Sequence, residues 1–259
     1  MRNPVSDTSR AAVRAALAPA LSVDNSPQRR FTFPLHHLVR GPTVMTRLIN
    51  TGSYARQLLS HRARVAIGDA LVALEHNFHE AISWGSLPVT WMQIRLPHPE
   101  MIGPQPDQPD SQAVAVEELD VPGWAHDGGP KFQSAMEKYG QALLDDSAGL
   151  GPDSRTDPMG PVVGLLALAE RWSLEPGGVI EGVDIEDTPG ARRQRSLTAV
   201  LADGTVLAVT RTAGVATTHR AQNHISRIAP GRTLAPALWL MGQGTGVFPL
   251  EMPPPGERV

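Results

Sequence analysis

The run Glu75-His76-Asn77-Phe78-His79-Glu80 is the most compact cluster of metal-competent side chains in the sequence. On a helix, His76 and Glu80 are four residues apart, as are Glu75 and His79, while His76 and His79 are three apart. Residues at these spacings share a face. Two neutral imidazoles and a carboxylate suit zinc or iron. The order is not His-Glu-x-x-His, so the arrangement with a base between two ligands is missing. A further ligand has to come from elsewhere, for example His36 or His37. His76, His79 and Glu80 therefore define one candidate, a metal-dependent hydrolase. The competing reading is a solvated helix face whose charges pair along the helix.

Other patterns carry less. Gly242-Gln243-Gly244-Thr245-Gly246 follows the apolar run Leu238–Met241, and a glycine-rich turn after a strand can cradle phosphate. Too little chain follows Gly246 for a crossover helix, which excludes a dinucleotide fold and leaves a glycine-rich turn or bulge. Thr43–Leu59 has the outline of a helix-turn-helix, with Gly52 in its turn, although the second helix is long for a recognition helix. No Gly-x-Ser-x-Gly nucleophile motif is present. Asp184, Glu186 and Asp187 sit close together at a strand end and read as a solvated edge or a cation site. No motif implies a cofactor.

Charge is unevenly distributed. Residues 1–65 hold 10 Arg against Asp7 and Asp24. Residues 66–160 hold 15 acidic groups against four basic ones, and residues 161–259 hold nine of each. A basic block attracts polyanions, in a manner that salt weakens. Arg47, Arg56, Arg62 and Arg64 are the candidate polyanion-binding residues. Their partner would be nucleic acid or an acidic protein surface, unless they answer the chain's own acidic middle.

The elements that position these residues follow from periodicity. Tyr54–Ile82 reads as one long helix capped by Ser53, with Ile67, Leu71, Leu74, Phe78 and Ala81 as its apolar stripe. Its first half is basic and its second half acidic, opposite to the preference of the helix dipole. Val89–Leu96 alternates as a strand. Five prolines between Pro97 and Pro109 mark a connector, followed by an acidic turn region at Glu117, Glu118 and Asp120. Phe132–Leu144 reads as helix, and Val162–Trp172 as a short, buried apolar helix. Val179–Glu186 reads as a strand. Asp203-Gly204 joins Ser196–Ala202 to Thr205–Arg211 in a hairpin, with Leu201 expected opposite Val206 and Ala199 opposite Ala208.

The expected class is α+β. A long N-terminal helix with a strand is joined to a C-terminal antiparallel β-meander covered by a short apolar helix, with Val162–Trp172 the first candidate for the cover. The expected parts are a basic arm (1–30), a helical N-terminal part (31–96), a Pro-rich acidic connector (97–130), an α+β part (131–250) and a tail (251–259). There is no Cys, which removes disulfides, thiolate metal sites and cysteine nucleophiles together. No apolar run approaches the roughly 20 residues of a membrane span, and an internal Arg14 and Pro19 argue against a signal peptide. Lys131 and Lys138 are the only lysines among 23 basic residues, a skew expected of a GC-rich bacterial genome. The reading is a cytoplasmic, non-enzymatic regulatory or interaction protein, with the metal hydrolase as its alternative.

Overall fold

The computed structural model describes residues 37–44, 52–85, 90–97, 114–120, 132–145, 155, 160–174, 190–229 and 233–255. Arg47, His36, the arm 1–30, the strand expected at 179–186 and the carboxylates Asp184, Glu186 and Asp187 lie outside them.

Seven strands form one sheet: β1 (His37–Val44), β2 (Thr90–Arg95), β3 (Val114–Asp120), β4 (Val162–Leu174), β5 (Ala191–Leu201), β6 (Thr205–Thr212) and β7 (Thr218–His224). Their order is β1-β3-β2-β4-β5-β6-β7. β1 runs parallel to β3, and every other neighbour is antiparallel. The helices are α1 (Gly52–Leu58), α2 (His61–Ala81), α3 (Phe132–Asp145) and α4 (Ala235–Gly244). This is the expected α+β class, with a C-terminal antiparallel meander and a short apolar helix upon it.

The covering helix is not the expected one. Val162–Trp172 is strand β4, in the middle of the sheet. A central strand buried on both faces is apolar throughout, so a short apolar run does not distinguish strand from buried helix. The acidic stretch Glu117, Glu118 and Asp120 is likewise strand β3, not turn. The cover over β4 and β5 is α4, whose Ala235, Ala237, Leu238, Trp239 and Met241 are buried.

The hairpin forms one residue out of the expected register. Gly204 has φ 84°. Its N–H donates to Leu201 O at 2.9 Å, and Thr205 N–H donates to Asp203 Oδ1 at 2.9 Å. One left-handed residue closes a three-residue loop, where a two-residue type I′ turn needs two. Val200 therefore faces Val206 and Ala199 faces Leu207.

The long helix is broken at Leu59-Ser60. Ser60 Oγ accepts from Ala63 N–H at 3.2 Å and caps α2. Arg64 Nη1 donates to Leu59 O at 2.8 Å, satisfying a carbonyl freed by the break. The stripe Ile67, Leu71, Leu74 and Phe78 is buried as expected, and α2 packs on β6 and β3.

Gly242 and Gly244 belong to α4 rather than to a turn after a strand. Trp239 and Phe248 stack at 4.7 Å, and a Cβ on Gly242 would overlap the Phe248 ring. Gly246, at φ 79°, ends the helix. α3 packs on α4 through glycines from both sides. A Cβ on Gly140 would lie 2.9 Å from the Leu240 carbonyl carbon, and one on Gly244 2.6 Å from Leu143 Cβ. Gly140→Ala is expected to lower the unfolding free energy by about 1–3 kcal/mol, because backbone cannot yield as a side chain can; urea denaturation measures it.

Candidate interaction surface

The Glu75–Glu80 run is split by its own helix. Glu75 faces the sheet and is fully buried, while His76 and Glu80 face outward. His79 is half-buried with its ring 6.5 Å from that of Trp84, and its Nδ1 has no hydrogen-bond partner among the described residues. Among those residues no group of three or more His, Asp or Glu could hold a metal ion. His37, a proposed distal ligand, opens β1.

The basic candidates also separate. Arg56 and Arg62 are exposed. Arg64 folds back onto the molecule, with Nη1 2.9 Å from Asp203 Oδ2. With His61, Arg62 and Arg64 all near its start, α2 has no acidic residue in its first turn. The Asp203 carboxylate, brought by the hairpin, places an anion there instead.

Glu75 is one end of a buried polar ladder. Glu170, Arg195 and Arg211 stand opposite one another on β4, β5 and β6, and so share one face of the sheet. Arg211 grips Glu75 with two bonds, Nε to Oε1 and Nη2 to Oε2, both 2.7 Å. Its Nη1 donates to Ala216 O in the β6–β7 turn at 3.1 Å. The bonds to Glu75 raise the Arg211 pKa further against the lowering effect of burial, so the guanidinium stays charged. Arg195 is fully buried and donates to Glu170 Oε1 through Nε (3.1 Å) and Nη2 (2.7 Å). Nη2 also reaches Ile82 O at 3.1 Å, and the guanidinium lies 4.9 Å from the Trp84 ring centre. Glu170 Oε2 accepts from Gly85 N–H at 2.7 Å. The chain leaving α2 is thus clamped to the sheet. On the opposite face, Arg95 Nε donates to Glu117 Oε2 at 3.0 Å, and Gln93 donates to the same oxygen. Part of the acidic middle is therefore answered inside the fold.

β7 presents the most open surface described. From His219 to Asn223 every residue is exposed, and the β6 ladder beneath runs without a shift in register. The bond from Ile225 N–H to Gly204 O (2.8 Å) fixes the direction of the main chain. His219, Ala221 and Asn223 turn their N–H and C=O toward β6, while Thr218, Arg220, Gln222 and His224 turn theirs outward. His224 N–H is taken by Asn223 Oδ1 at 2.8 Å. No described strand lies beyond β7. His219, Arg220 and Arg227 are exposed along this edge, and Arg220 meets Asp69 of α2 at 3.1 Å. His224 Nε2 donates to Asp203 O at 3.3 Å, so β7 and the basic start of α2 meet at the same turn.

The sequence held a signal for this edge. No Asp or Glu occurs between Asp203 and Glu251, a stretch that carries Arg211, Arg220, Arg227 and Arg232. Summing charge over residues 161–259 cancels these against carboxylates upstream.

No family model matches the chain, and no curated protein or solved structure matches it. Glu75→Ala leaves the Arg211 charge buried without its partner and is expected to cost about 3–5 kcal/mol, whereas replacing both by Met is expected to recover most of the loss. Chemical denaturation of the two variants measures the difference.

Proposed function

We propose that this chain is a non-enzymatic interaction protein that receives an acidic protein partner on a cationic surface. The observation that carries the reading is β7 with the turn after it. It is exposed, cationic through Arg220 and Arg227, and set in a stretch of chain without a carboxylate. Arg62 adds an exposed arginine at the start of α2. Like-signed surface charge draws in an oppositely charged partner and speeds encounter.

Two further observations support it. Glu75, Glu170, Arg195 and Arg211 are engaged with one another, which leaves them poor candidates for proton transfer to a substrate. Tyr54, Phe78, Trp84, Trp91, Trp172, Trp239 and Phe248 are all buried or half-buried, so none of them offers a platform on which bases could stack. That favours an acidic protein over single-stranded nucleic acid.

Labelled poly-L-glutamate is expected to bind the protein at about 0.01 M salt and to release by about 0.15 M, as the screening length falls from about 30 Å to about 8 Å. The R220E/R227E variant is expected to lose that binding while poly-L-lysine binds neither protein. Absence of binding at low salt, or equal binding by the variant, contradicts the reading.

A further inference from the structure

We propose that the outer edge of β7 takes an extended acidic segment of its partner as an eighth strand. This rests on the reading of the surface as a receiver of acidic protein and adds the mode of recognition. Arg220 and Gln222 each direct an N–H and a C=O away from β6, and no described residue pairs with them. Such a row is a template for main-chain hydrogen bonds with an added strand. Edges that are closed to pairing carry prolines, bulges or very short strands. β7 has no Pro, continuous register along all its residues and a length of 7 residues, enough to seat a partner strand.

Charge selects the occupant. β7 and the turn after it hold His219, Arg220, His224 and Arg227 and no acidic residue. A second copy pairing edge to edge adds the same arginines and no carboxylate, and like charges on adjacent strands are unfavourable. An acidic strand brings carboxylates to the same places. Alternation puts Arg220, Gln222 and His224 on the α2 side of the sheet and His219, Ala221 and Asn223 on the other. A partner residue beside Arg220 meets a guanidinium that is 57% exposed and holds a single oxygen of Asp69. Arg220 thus has donors left for a second carboxylate. The main chain supplies affinity at the edge, and Arg220 reads acidity on its α2 side.

The test uses a labelled peptide of about ten residues alternating Glu with Thr, the length of a long strand, and the same peptide N-methylated at every amide. N-methylation keeps the charge and removes the donors. The unmodified peptide is expected to bind at low salt, and methylation is expected to weaken it roughly tenfold or more through the lost main-chain bonds. Gln222→Pro removes an outward N–H that β6 does not use, a substitution an edge strand tolerates. It is expected to weaken the unmodified peptide to a similar degree while poly-L-glutamate still binds. Should the variant not fold, the methylated peptide decides alone. If the methylated peptide binds as tightly as the unmodified one, strand addition is overturned while the acidic-partner reading stands. If neither peptide nor poly-L-glutamate binds, both fall. A wild-type dimer in light scattering that Gln222→Pro converts to monomer makes a second copy the occupant and overturns the proposal. So does a DNA duplex that displaces the peptide at matched charge.

Discussion

Two arginines lie side by side on adjacent strands beneath a helix, and everything above them depends on how that repulsion is answered. Arg195 and Arg211 are opposite one another on β5 and β6. Unopposed like charges at that position would drive the strands apart. Glu170 answers the first from β4, and Glu75 answers the second from α2. The two answers tie different parts of the chain together. Arg195 holds the Ile82 carbonyl and Glu170 holds the Gly85 amide, so the exit of α2 is fixed to the sheet. Arg211 holds Glu75 on one side and the Ala216 carbonyl on the other, so helix and β6–β7 turn are fixed to one guanidinium. Removing one member of a buried pair costs more than replacing both. The ladder therefore acts more to specify where α2 lies than to add stability.

That placement decides what the surface can do. Along α2 the inward positions are Ile67, Leu71, Leu74, Glu75 and Phe78, which leaves His76 and Glu80 outside. Glu75 is thereby turned away from its sequence neighbours His76 and Glu80 by the helix's own rotation. At the opposite end of α2, Asp203 joins the helix to the hairpin through Arg64 and accepts from His224 at the end of β7. A strand that is exposed on both faces is thereby held at both of its ends. It is held at its start by the Arg211–Ala216 contact and at its finish by the Asp203 turn. A strand kept extended in advance spends less conformational entropy when it gains a neighbour.

The class of the fold, the stripe of α2, the hairpin and the helix from Phe132 were legible in the sequence, because each has its own periodicity or turn chemistry. What was not legible shares a cause: burial on both sides erases periodicity. β4 is apolar along Val162–Ala169 because a layer covers each face, so it imitates a buried helix. β3 hides Glu117 beneath Arg95, so an internal ion pair imitates a polar turn. Gly242 and Gly244 sit in a helix because Phe248 and Leu143 need the space, a reason that resides in distant chain. Charge was legible only at the scale on which it was summed. Arg220 of β7 and Arg227 of the turn after it vanished into a balanced block, whereas the Arg-rich start stood out. Of the residues that made it stand out, Arg64 is turned inward to Asp203.

A ladder of buried ion pairs holds the turn that opens β7, and one edge of that strand is left without a described neighbour. Residue-resolved amide hydrogen exchange tests this most directly. In the free protein, His219, Ala221 and Asn223 should be protected and Arg220 and Gln222 should exchange freely. An acidic extended peptide should then slow Arg220 and Gln222 specifically. Uniform fast exchange along β7, or protection that appears on α1 and α2 while Arg220 and Gln222 stay unprotected, would contradict it.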